Sequence, residues 1–532
     1  MNIESEENVK SQGSQEDSFR VVETQYGKLR GRVSGGLASF LGVRYGADTG
    51  GMNRFMPPQP VTPWSGIRDA LAPGNQCAHS NPDFPVWVDP SPASEDCLML
   101  NVFCPDSATA VSRFPVMVWL HGGGYGFGSG YAPGYNCGNL AKRGNVITVS
   151  VNHRLHGFGY TYFGDQQDGL FSTSGNAGHL DIIHALKWVR ENIERFGGDP
   201  TNVTLFGQSG GGGKITTLSG MPAARGLFHK AIVQSGSVLK VRQPQEALAL
   251  TDAVFDDLQI KRGDIKALQA VPTNIAVKCF EKQASQTKTN YTQSLVFGPV
   301  VDGHVLPEMI WRDKAPDLVR DIPFLMGLNP DETVTVIGFD IYSEMKDDVA
   351  IADLCTRYAL MNDYSVEQLL PVVRKYRQLM PHLPVSELVV RISTDIGYRK
   401  GAEIQSKLLL ARQGAPVYMY ECVWKTPCFR GEWAVHGVEL PFIFDLEEYG
   451  TAWDGEDSDG LRASADPSNK RSVVGRHMLD AWVNFARSGD PSTKDLPWPA
   501  YDSASRRTMV FGAESKVVDD PHEETRDVLL GL

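Results

Sequence analysis

Short apolar runs that alternate with a helical stretch constrain the fold of this chain more than any other feature. The runs Phe114–Leu120, Asn145–Val151 and Asn202–Phe206 are apolar or β-branched at most positions, as expected of strands buried on both faces. The stretch Gly178–Phe196 instead has apolar residues at approximately helical spacing. Further strands are predicted at Ala231–Gln234, Pro323–Met326 and Val417–Trp424. The sequence therefore predicts an α/β fold with a large, mainly parallel central sheet flanked by helices.

The chain contains no low-complexity segment that would separate domains. Its 532 residues would make roughly three domains at about 150 residues each. However, glycine and proline are scattered along the chain and no repeat occurs at a fixed period. We therefore predict one domain over residues 19–532, with long insertions between the core elements. Residues 1–18 are polar and acidic, and we expect them to form a disordered tail.

The charge balance limits the class of partner. The chain has 51 Lys and Arg against 63 Asp and Glu, a formal net charge of −12, and no basic run. Because nucleic-acid phosphates are bound by clustered Lys and Arg, we predict no nucleic-acid partner. No apolar stretch approaches the roughly 18 residues of a membrane span, and the N-terminus resembles no secretory leader. We expect a cytoplasmic protein, or a secreted or periplasmic one if a leader has been removed.

The strand Asn202–Phe206 runs directly into Gly207-Gln208-Ser209-Gly210-Gly211. Between a strand and a helix, this Gly-x-Ser-x-Gly pattern is typical of a tight turn that exposes a serine hydroxyl at the carboxyl end of a sheet. The alternative is a structural serine in a glycine-rich turn. The context favours a nucleophilic role for Ser209.

A serine that attacks a carbonyl carbon needs hydrogen-bond donors for the resulting oxyanion. His121-Gly122-Gly123-Gly124 follows the strand Phe114–Leu120, and consecutive glycines allow backbone N–H groups to turn toward a bound oxygen. Gly210, the residue after the serine, can supply another N–H group. The alternative is a simple turn after a strand.

The serine also needs a base, and the chain order serine, acid, histidine is expected in a fold of this kind. Gly327–Glu332 follows a predicted strand and offers either Asp331 or Glu332 as the acid. His436 follows the strand Val417–Trp424 through a loop and is the predicted base. The other histidines after the acid lie in a Pro-flanked loop, a helical pattern and an acidic C-terminal segment: His382, His477 and His522.

With these motifs in order, the sequence resembles the type-B carboxylesterases, the cholinesterase-like family of α/β-hydrolases. The resemblance covers residues from about 20 to 512. Its motifs are Phe40–Tyr45, Ser94–Val102, His121–Gly124, Asn152–Leu155, Gly175–Gly178, Phe196–Pro200, the Ser209 turn, Val233–Gly236, Gly298–Gly303, Gly327–Glu332, Val435–Gly437 and Trp482–Ala486.

The resemblance implies an α/β-hydrolase fold with insertions around the mouth of the site. It implies that Ser209 is the nucleophile, Glu332 the acid and His436 the base. The N–H groups of Gly123, Gly124 and Gly210 would form the oxyanion hole.

The resemblance also implies supporting features. Ser235 resembles a buried serine next to the triad of the family. Cys77 and Cys97 resemble a family disulfide that closes a surface loop, but in a reducing compartment free thiols are equally expected. No metal or organic cofactor is implied.

The serine turn departs from the family, which usually has Glu at position 208 and Ala at position 210. Gln208 places a neutral amide beneath the nucleophile and is expected to change how the helix and the acid are braced. The run Gly210–Gly213 is consistent with close packing of helix on strand or with a roomier pocket beside the serine. The sequence around Lys214 suggests a phosphate-binding loop, but the first glycine and the Ser/Thr of that motif are missing, so we reject it.

His153 and His156 are three residues apart and suggest a metal pair. No third ligand is clustered near them in sequence, so we interpret them as core or pocket-wall residues and predict no metal.

The predicted function is hydrolysis of a small carboxylic ester through an acyl-enzyme. Two alternatives stay open: an amide, carbamate or lactone hydrolase with the same triad, and a catalytically silent adhesion or scaffold protein on the same fold. A match to the β-lactamase Ser-x-x-Lys motif at Ser237–Lys240 lacks its companion motifs and is interpreted as chance. The sequence makes no prediction of the oligomeric state.

Overall fold

The computed structural model describes residues 18–80, 88–165, 169–286, 295–337, 347–359, 364–427, 431–446, 451–452, 455–456 and 460–532. Its strands are β1 (Ser18–Thr24), β2 (Gly27–Ser34), β3 (Leu37–Arg44), β4 (Ile67–Asp69), β5 (Gln76–Cys77), β6 (Ala93–Ser94), β7 (Met99–Pro105), β8 (Phe114–Leu120), β9 (Ile147–Val151), β10 (Gly198–Gln208), β11 (Lys230–Gln234), β12 (Phe324–Leu328), β13 (Val417–Cys422), β14 (Thr451–Ala452), β15 (Gly455–Glu456), β16 (Thr508–Phe511) and β17 (Lys516–Val518).

Thirteen of these strands form one sheet in the order β1-β2-β3-β7-β9-β8-β10-β11-β12-β13-β16-β17, with β4 paired to β2. All neighbours from β9 to β16 are parallel. The strands at both edges pair antiparallel along that path. The predicted α/β fold with a large, mainly parallel central sheet is confirmed.

Helices connect the parallel strands. They are α1 (Cys137–Gly144), α2 (His156–Tyr160), α3 (Ala177–Asn192), α4 (Gly210–Leu218), α5 (Pro244–Asp257), α6 (Ile265–Gln269), α7 (Thr273–Gln286), α8 (Val334–Ile337), α9 (Asp348–Thr356), α10 (Val366–Leu379), α11 (Val385–Thr394), α12 (Lys400–Ala411), α13 (Leu440–Ile443), α14 (Leu461–Ala465), α15 (Lys470–Ser488) and α16 (Glu523–Leu530). One π-helical turn, Asp395–Arg399, joins α11 to α12.

Side chains of the central strands alternate between two apolar cores. In β8, Val116 and Val118 belong to one core, while Met117 and Trp119 belong to the other. Buried residues of α3 join the first core and those of α15 join the second. Because successive side chains of a strand point to opposite faces, the sheet is covered on both sides. This two-sided burial explains why its central strands are apolar at nearly every position.

Several element boundaries differ from the sequence prediction. Asn145 does not begin β9, because its left-handed backbone (φ 52°) ends helix α1, and the strand starts at Ile147. β10 starts at Gly198 rather than Asn202, and its register against β8 shifts between Gly198 and Val203. The family motif Phe196–Pro200 therefore overlaps the start of this strand.

Two further predictions concern the ends and the cysteines. Residues 1–17 of the predicted tail lie outside the described residues, and Ser18 begins β1.

Cys77 and Cys97 are joined in a disulfide with their Cα atoms 4.9 Å apart. Among the described helices, none combines the length and apolar character needed to cross a membrane.

Candidate active site

Four parallel strands bring the predicted site residues to one edge of the sheet. β8 ends just before the glycine motif, and β10 ends at the residue before Ser209. β12 ends shortly before Glu332, and β13 precedes the loop that carries His436. Since parallel strands all point the same way, these segments meet at the carboxyl edge, where open α/β sheets bind ligands.

Ser209 occupies the tight turn between β10 and α4. Its backbone has φ 56° and ψ −123°, a conformation that is strained for any residue with a side chain. Its N–H group donates to the carbonyl oxygen of Gln234 on the adjacent strand, at 2.7 Å. The side chain is half-buried. The turn therefore holds a serine fixed at the strand end while leaving part of it accessible.

The glycines after Ser209 pack against the segment that carries the predicted oxyanion motif. A Cβ atom on Gly210 would lie 2.3 Å from the carbonyl oxygen of Gly124, and one on Gly211 would lie 1.9 Å from that of Leu120. On Gly212 it would lie 2.9 Å from a backbone atom of the segment after β11. Close packing thus explains these three glycines, and the alternative of a roomier pocket is wrong for them.

The same packing places the Gly210 backbone against that of Gly124, which follows Gly123. Gly123 and Gly124 both have left-handed backbones (φ 82° and 58°), which favour glycine. The N–H groups of Gly123, Gly124 and Gly210 donate to no other described residue. The arrangement provides unused N–H groups beside the serine, as binding of an oxyanion requires.

Glu332 and His436 form a buried pair. The Nδ1 atom of His436 contacts Oε2 of Glu332 in a short hydrogen bond. The other oxygen of Glu332 accepts from the Ser235 hydroxyl at 2.6 Å and from the N–H of Asn329 at 2.7 Å. Glu332 is completely buried. Both carboxylate oxygens are thus occupied, and the carboxylate is fixed against the imidazole ring.

The opposite edge of the imidazole faces the serine turn. Nε2 of His436 lies 3.0 Å from Nε2 of Gln208, the residue that precedes Ser209. The Tyr398 ring packs beside the imidazole with 5.2 Å between ring centroids. The structure therefore brings His436, Glu332 and the serine turn together.

Asp331, which the sequence left as an alternative acid, holds the histidine loop instead. Its carboxylate accepts from the N–H of Ala434 at 2.7 Å, and its own N–H donates to the Ala434 carbonyl at 3.2 Å. Burial raises the pKa of Asp331 to about 6. Adjacent carboxylates therefore have different tasks: Glu332 contacts the ring and Asp331 fixes the backbone beside it.

Sequence reasoning missed a second buried carboxylate at the site. Glu439 accepts from the side-chain amides of Asn329 (2.8 Å) and Gln234 (3.2 Å). Burial and the nearby Glu332 raise the pKa of Glu439. The sequence did contain a signal for this cluster, since Glu439 lies three residues after the predicted base His436 and Asn329 lies three residues before the predicted acid Glu332.

Lys214 was also missed as a site residue. Its ammonium donates to the carbonyl oxygen of His121 at 2.9 Å, and the side chain is completely buried. Burial lowers the pKa of Lys214 to about 7. The contact joins helix α4, which begins after Ser209, to the start of the predicted oxyanion motif.

The two histidines considered as a metal pair are both buried. The His153 ring stacks on the His121 ring with 4.9 Å between centroids, and His156 packs against Phe280 and Phe297. Burial and Lys214 lower the pKa of His153 well below its usual range, and burial lowers that of His156 to about 3. Among the residues that the structure describes, no group of three His, Cys, Asp or Glu side chains is arranged to hold a metal.

Known proteins resemble this chain over nearly its whole length. The sequence profile of the carboxylesterase family matches residues 18–529. Para-nitrobenzyl esterase of Bacillus subtilis (strain 168) is 34% identical over 519 residues, which cover 96% of this chain and 99% of that protein. Liver carboxylesterase of Sus scrofa is 30% identical over 535 residues, which cover 91% of this chain and 88% of that protein.

The fold agrees with the sequence match. A solved structure of a carboxylesterase from Geobacillus stearothermophilus has a TM-score of 0.79 and 32% identity to this chain. The match covers 96% of this chain and 99% of that one.

Proposed function

The chain belongs to the carboxylesterase family, and from this premise we propose that it hydrolyses carboxylic esters through an acyl-enzyme on Ser209. Membership supports the reaction class, carboxylic ester hydrolysis. The single observation that carries the mechanism is the buried His436–Glu332 pair, whose Nε2 edge faces the turn with Ser209.

His436 acts as the base in this mechanism. The contact with Glu332 keeps the hydrogen on Nδ1, so Nε2 carries the lone pair that accepts the Ser209 proton. The serine oxygen bonds to the ester carbonyl carbon, and the carbonyl oxygen takes the negative charge. The N–H groups of Gly123, Gly124 and Gly210 stabilise that oxyanion.

The second half of the reaction uses the same groups in reverse. Protonated His436 gives its proton to the departing alkoxide, and the acyl group remains on Ser209. Water then enters and gives a proton to His436 as its oxygen bonds to the acyl carbon. The bond between that carbon and the Ser209 oxygen breaks, His436 returns the proton to the serine oxygen, and the carboxylic acid is released. Glu332 keeps the ring oriented and favours its protonated form throughout.

Removal of the nucleophile tests the proposal. We expect Ser209→Ala to lower kcat for a short-chain 4-nitrophenyl ester by on the order of 10⁴-fold or more, since the triad acts as a unit. Ser237→Ala is the matched control, because Ser237 lies in the Ser-x-x-Lys match that we interpret as chance. Its activity should equal that of the wild type. Far-UV circular dichroism confirms that both variants are folded.

Two outcomes would contradict the proposal. Wild-type protein that is inert toward a panel of esters and toward serine-directed phosphonates would favour the adhesion or scaffold alternative. Faster turnover of a carbamate or lactone than of the ester with matched groups would favour the other hydrolase alternative.

A further inference from the structure

The π-helical turn Asp395–Arg399 places an aromatic side chain beside the base of the proposed mechanism. The Tyr398 ring packs next to the His436 imidazole, with 5.2 Å between ring centroids and 48° between ring planes. Tyr398 is half-buried, whereas the other residues of the turn are buried. Part of the Tyr398 side chain is therefore accessible beside the imidazole. The proposed mechanism assigns it no role.

Buried bonds fix both ends of this turn. The N–H group of Lys400 donates to the carbonyl oxygen of Asp395, five residues earlier, as in a π-helix. Arg399 donates to the Asp395 carboxylate at 2.7 Å and to Glu421 at 2.8 Å, and all three side chains are buried. Single π-helical turns within longer helices are frequent at functional sites. Here the turn holds Tyr398 against the imidazole while its flanking residues bond to the protein interior.

The helices on either side of the turn contact the other parts of the site. At the end of α11, the Ser393 hydroxyl lies 2.7 Å from the hydroxyl of Thr333, the residue after the predicted acid. At the start of α12, a Cβ atom on Gly401 would lie 2.2 Å from the carbonyl oxygen of Ser237, in the segment that follows β11. The helical segment therefore crosses the site from the acid side toward the serine side, and Tyr398 lies between these two contacts.

The reaction determines which part of the substrate comes close to this ring. His436 gives its proton to the departing alkoxide, so the alcohol oxygen must come within about 2.6–3.2 Å of Nε2. Because the centroids of the Tyr398 and His436 rings are 5.2 Å apart, a group attached to that oxygen can contact the Tyr398 ring. The acyl group is instead bonded to the carbon that Ser209 attacks, beside the glycine N–H groups. The accessible part of Tyr398 therefore lies on the alcohol side of the ester.

We propose that Tyr398 is a specificity-determining residue, whose ring forms a wall of the subsite for the alcohol group and favours alcohols that carry an aromatic ring. Two aromatic rings in edge-to-face or offset packing attract each other beyond the effect of their buried area. A saturated ring of similar size gains only from burial. The inference rests on the proposed function, because it assumes that His436 protonates the departing alcohol.

The test compares two acetate esters that differ only in the aromaticity of the alcohol, 2-phenylethyl acetate and 2-cyclohexylethyl acetate. In Tyr398→Leu, we expect the ratio of their kcat/KM values to fall about 5-fold relative to the wild type, because the aromatic contact is lost. Tyr398→Phe retains the ring and should retain the wild-type ratio. A residue that only held the imidazole in place would lower kcat/KM for both esters alike and leave the ratio unchanged.

Tyr364→Leu is the matched control. Tyr364 is also half-buried and contacts the same helical segment, but its ring lies 5.0 Å from the ammonium of Lys400. Its ratio should equal that of the wild type. A second pair, ethyl phenylacetate and ethyl cyclohexylacetate, carries the rings on the acyl group, and the ratio for this pair should be the same in all variants. Titration with a serine-directed phosphonate gives the concentration of folded sites.

An unchanged alcohol-side ratio in Tyr398→Leu overturns the inference, and so does a change confined to the acyl-side ratio. If Tyr398→Leu yields no titratable sites, inhibition of the wild type by the two free alcohols decides. After correction for the octanol–water partition of each alcohol, 2-phenylethanol should inhibit about 5-fold more strongly than 2-cyclohexylethanol, and equal inhibition overturns the inference. Each of these failures leaves Ser209-dependent hydrolysis in place, whereas the proposed function fails only if the wild type shows none.

Discussion

Two regions of this molecule bury ionisable groups in opposite ways. Behind the histidine loop, Arg399 on the π-helical turn bonds to Asp395 at 2.7 Å and to Glu421 at 2.8 Å, and His522 lies 3.2 Å from Glu421. Beside the serine turn, Lys214 is buried without an ion pair to any described carboxylate. We refer to these regions as the paired network and the lysine site.

The difference lies in which form of each group the protein stabilises. In the paired network burial opposes charge, but His522 and Arg399 lower the pKa of Glu421, and its carboxylate partners raise that of Arg399. At the lysine site, burial lowers the pKa of Lys214 to about 7, and burial together with Lys214 lowers the pKa of His121 well below its usual range. One region keeps its charges and the other tends to lose them.

The location of each region fits its electrostatics. The paired network anchors the π-helical turn that carries Tyr398, whose ring packs against the His436 ring. Ion pairs that stay charged therefore keep this side of the imidazole in place. Lys214 holds the proposed oxyanion motif through the His121 carbonyl, and a carboxylate paired with Lys214 would oppose the oxyanion that the proposed mechanism forms there. The comparison teaches that paired charges stabilise a fixed part of the fold, whereas Lys214 is held beside the proposed oxyanion motif without a carboxylate partner among the described residues.

Breaking the paired network should give the largest effect on stability. Arg399→Met leaves Asp395 and Glu421 buried without their shared partner, and we expect a loss of about 3–5 kcal/mol in the free energy of unfolding. Urea-induced unfolding at pH 7 measures it.

The exposed pair Arg30–Asp69 provides the control for that experiment. Arg30→Met removes the same charge at the surface, where water replaces the partner, and should leave stability nearly unchanged. Equal effects of the two substitutions would contradict the view that the network depends on pairing.

Removing the unpaired cation should have opposite effects on stability and activity. Lys214 has a folded pKa of about 7 against 10.5 in the unfolded chain, so the unfolded state binds more protons between these values and stability rises with pH there. The burial penalty is therefore largest below pH 7. We expect the stability gained in Lys214→Met to be larger at pH 6 than at pH 10 by on the order of 4 kcal/mol, because the pKa of Lys214 differs by about 3.5 between the two states.

Activity should fall in the same variant. Loss of the hydrogen bond to the His121 carbonyl removes a contact that fixes the proposed oxyanion motif. Less precisely placed N–H groups should lower kcat about 10-fold. Lys230→Met is the control, because burial also lowers the pKa of Lys230, to about 8, but its ammonium contacts Asn202 away from the site. It should stabilise slightly and retain full activity. A Lys214→Met enzyme with wild-type kcat would remove the link between this lysine and the oxyanion motif.

A smaller effect on stability is expected at acidic pH, where a second buried group without an ion pair, His156, opposes protonation. Burial lowers the pKa of His156 to about 3 from 6.5 in the unfolded chain. Below pH 6.5 the unfolded chain therefore binds a proton at this residue, whereas the folded protein does not. Stability is therefore lost as pH falls through that range, by about 1 kcal/mol between pH 6.5 and 5.5 for this group. His156→Asn should flatten this decline, and asparagine tolerates the left-handed backbone there (φ 53°).

Thermal unfolding at pH 8 and pH 5.5 measures the decline as a difference in Tm. Substitution of the exposed His304 by Asn should leave that difference unchanged, since water surrounds the side chain in both states. A His156→Asn protein with the same difference as the wild type would show that this histidine does not contribute.

Much of the fold was predictable because it depends on local pattern. The strand Phe114–Leu120 was predicted to the residue, and the helix predicted over Gly178–Phe196 is found as α3 followed by a short 3₁₀ segment. Errors at Asn145 and Gly198 arose because a left-handed cap and a register shift depend on neighbours that periodicity does not report. The candidates Ser209, Glu332 and His436 came from motif order and family resemblance.

The side-chain partners were not predictable in the same way. Nothing in the sequence around Lys214 indicates that its ammonium reaches the carbonyl of His121, 93 residues earlier in the chain. The contact of Gln208 with His436 spans 228 residues. Such pairs form only after the strands have aligned, and many other partners are compatible with the same residue types.

By itself, the sequence determined the layered architecture and the residues with the chemistry to act, because hydrophobic periodicity and tight-turn glycines impose local rules at every position. Only the tertiary structure decided which carboxylate meets the imidazole, which glycines have no room for a side chain, and which buried charges find a partner. Those outcomes depend on distances of a few ångströms between segments far apart in the chain, and electrostatic and steric energies change steeply over that range.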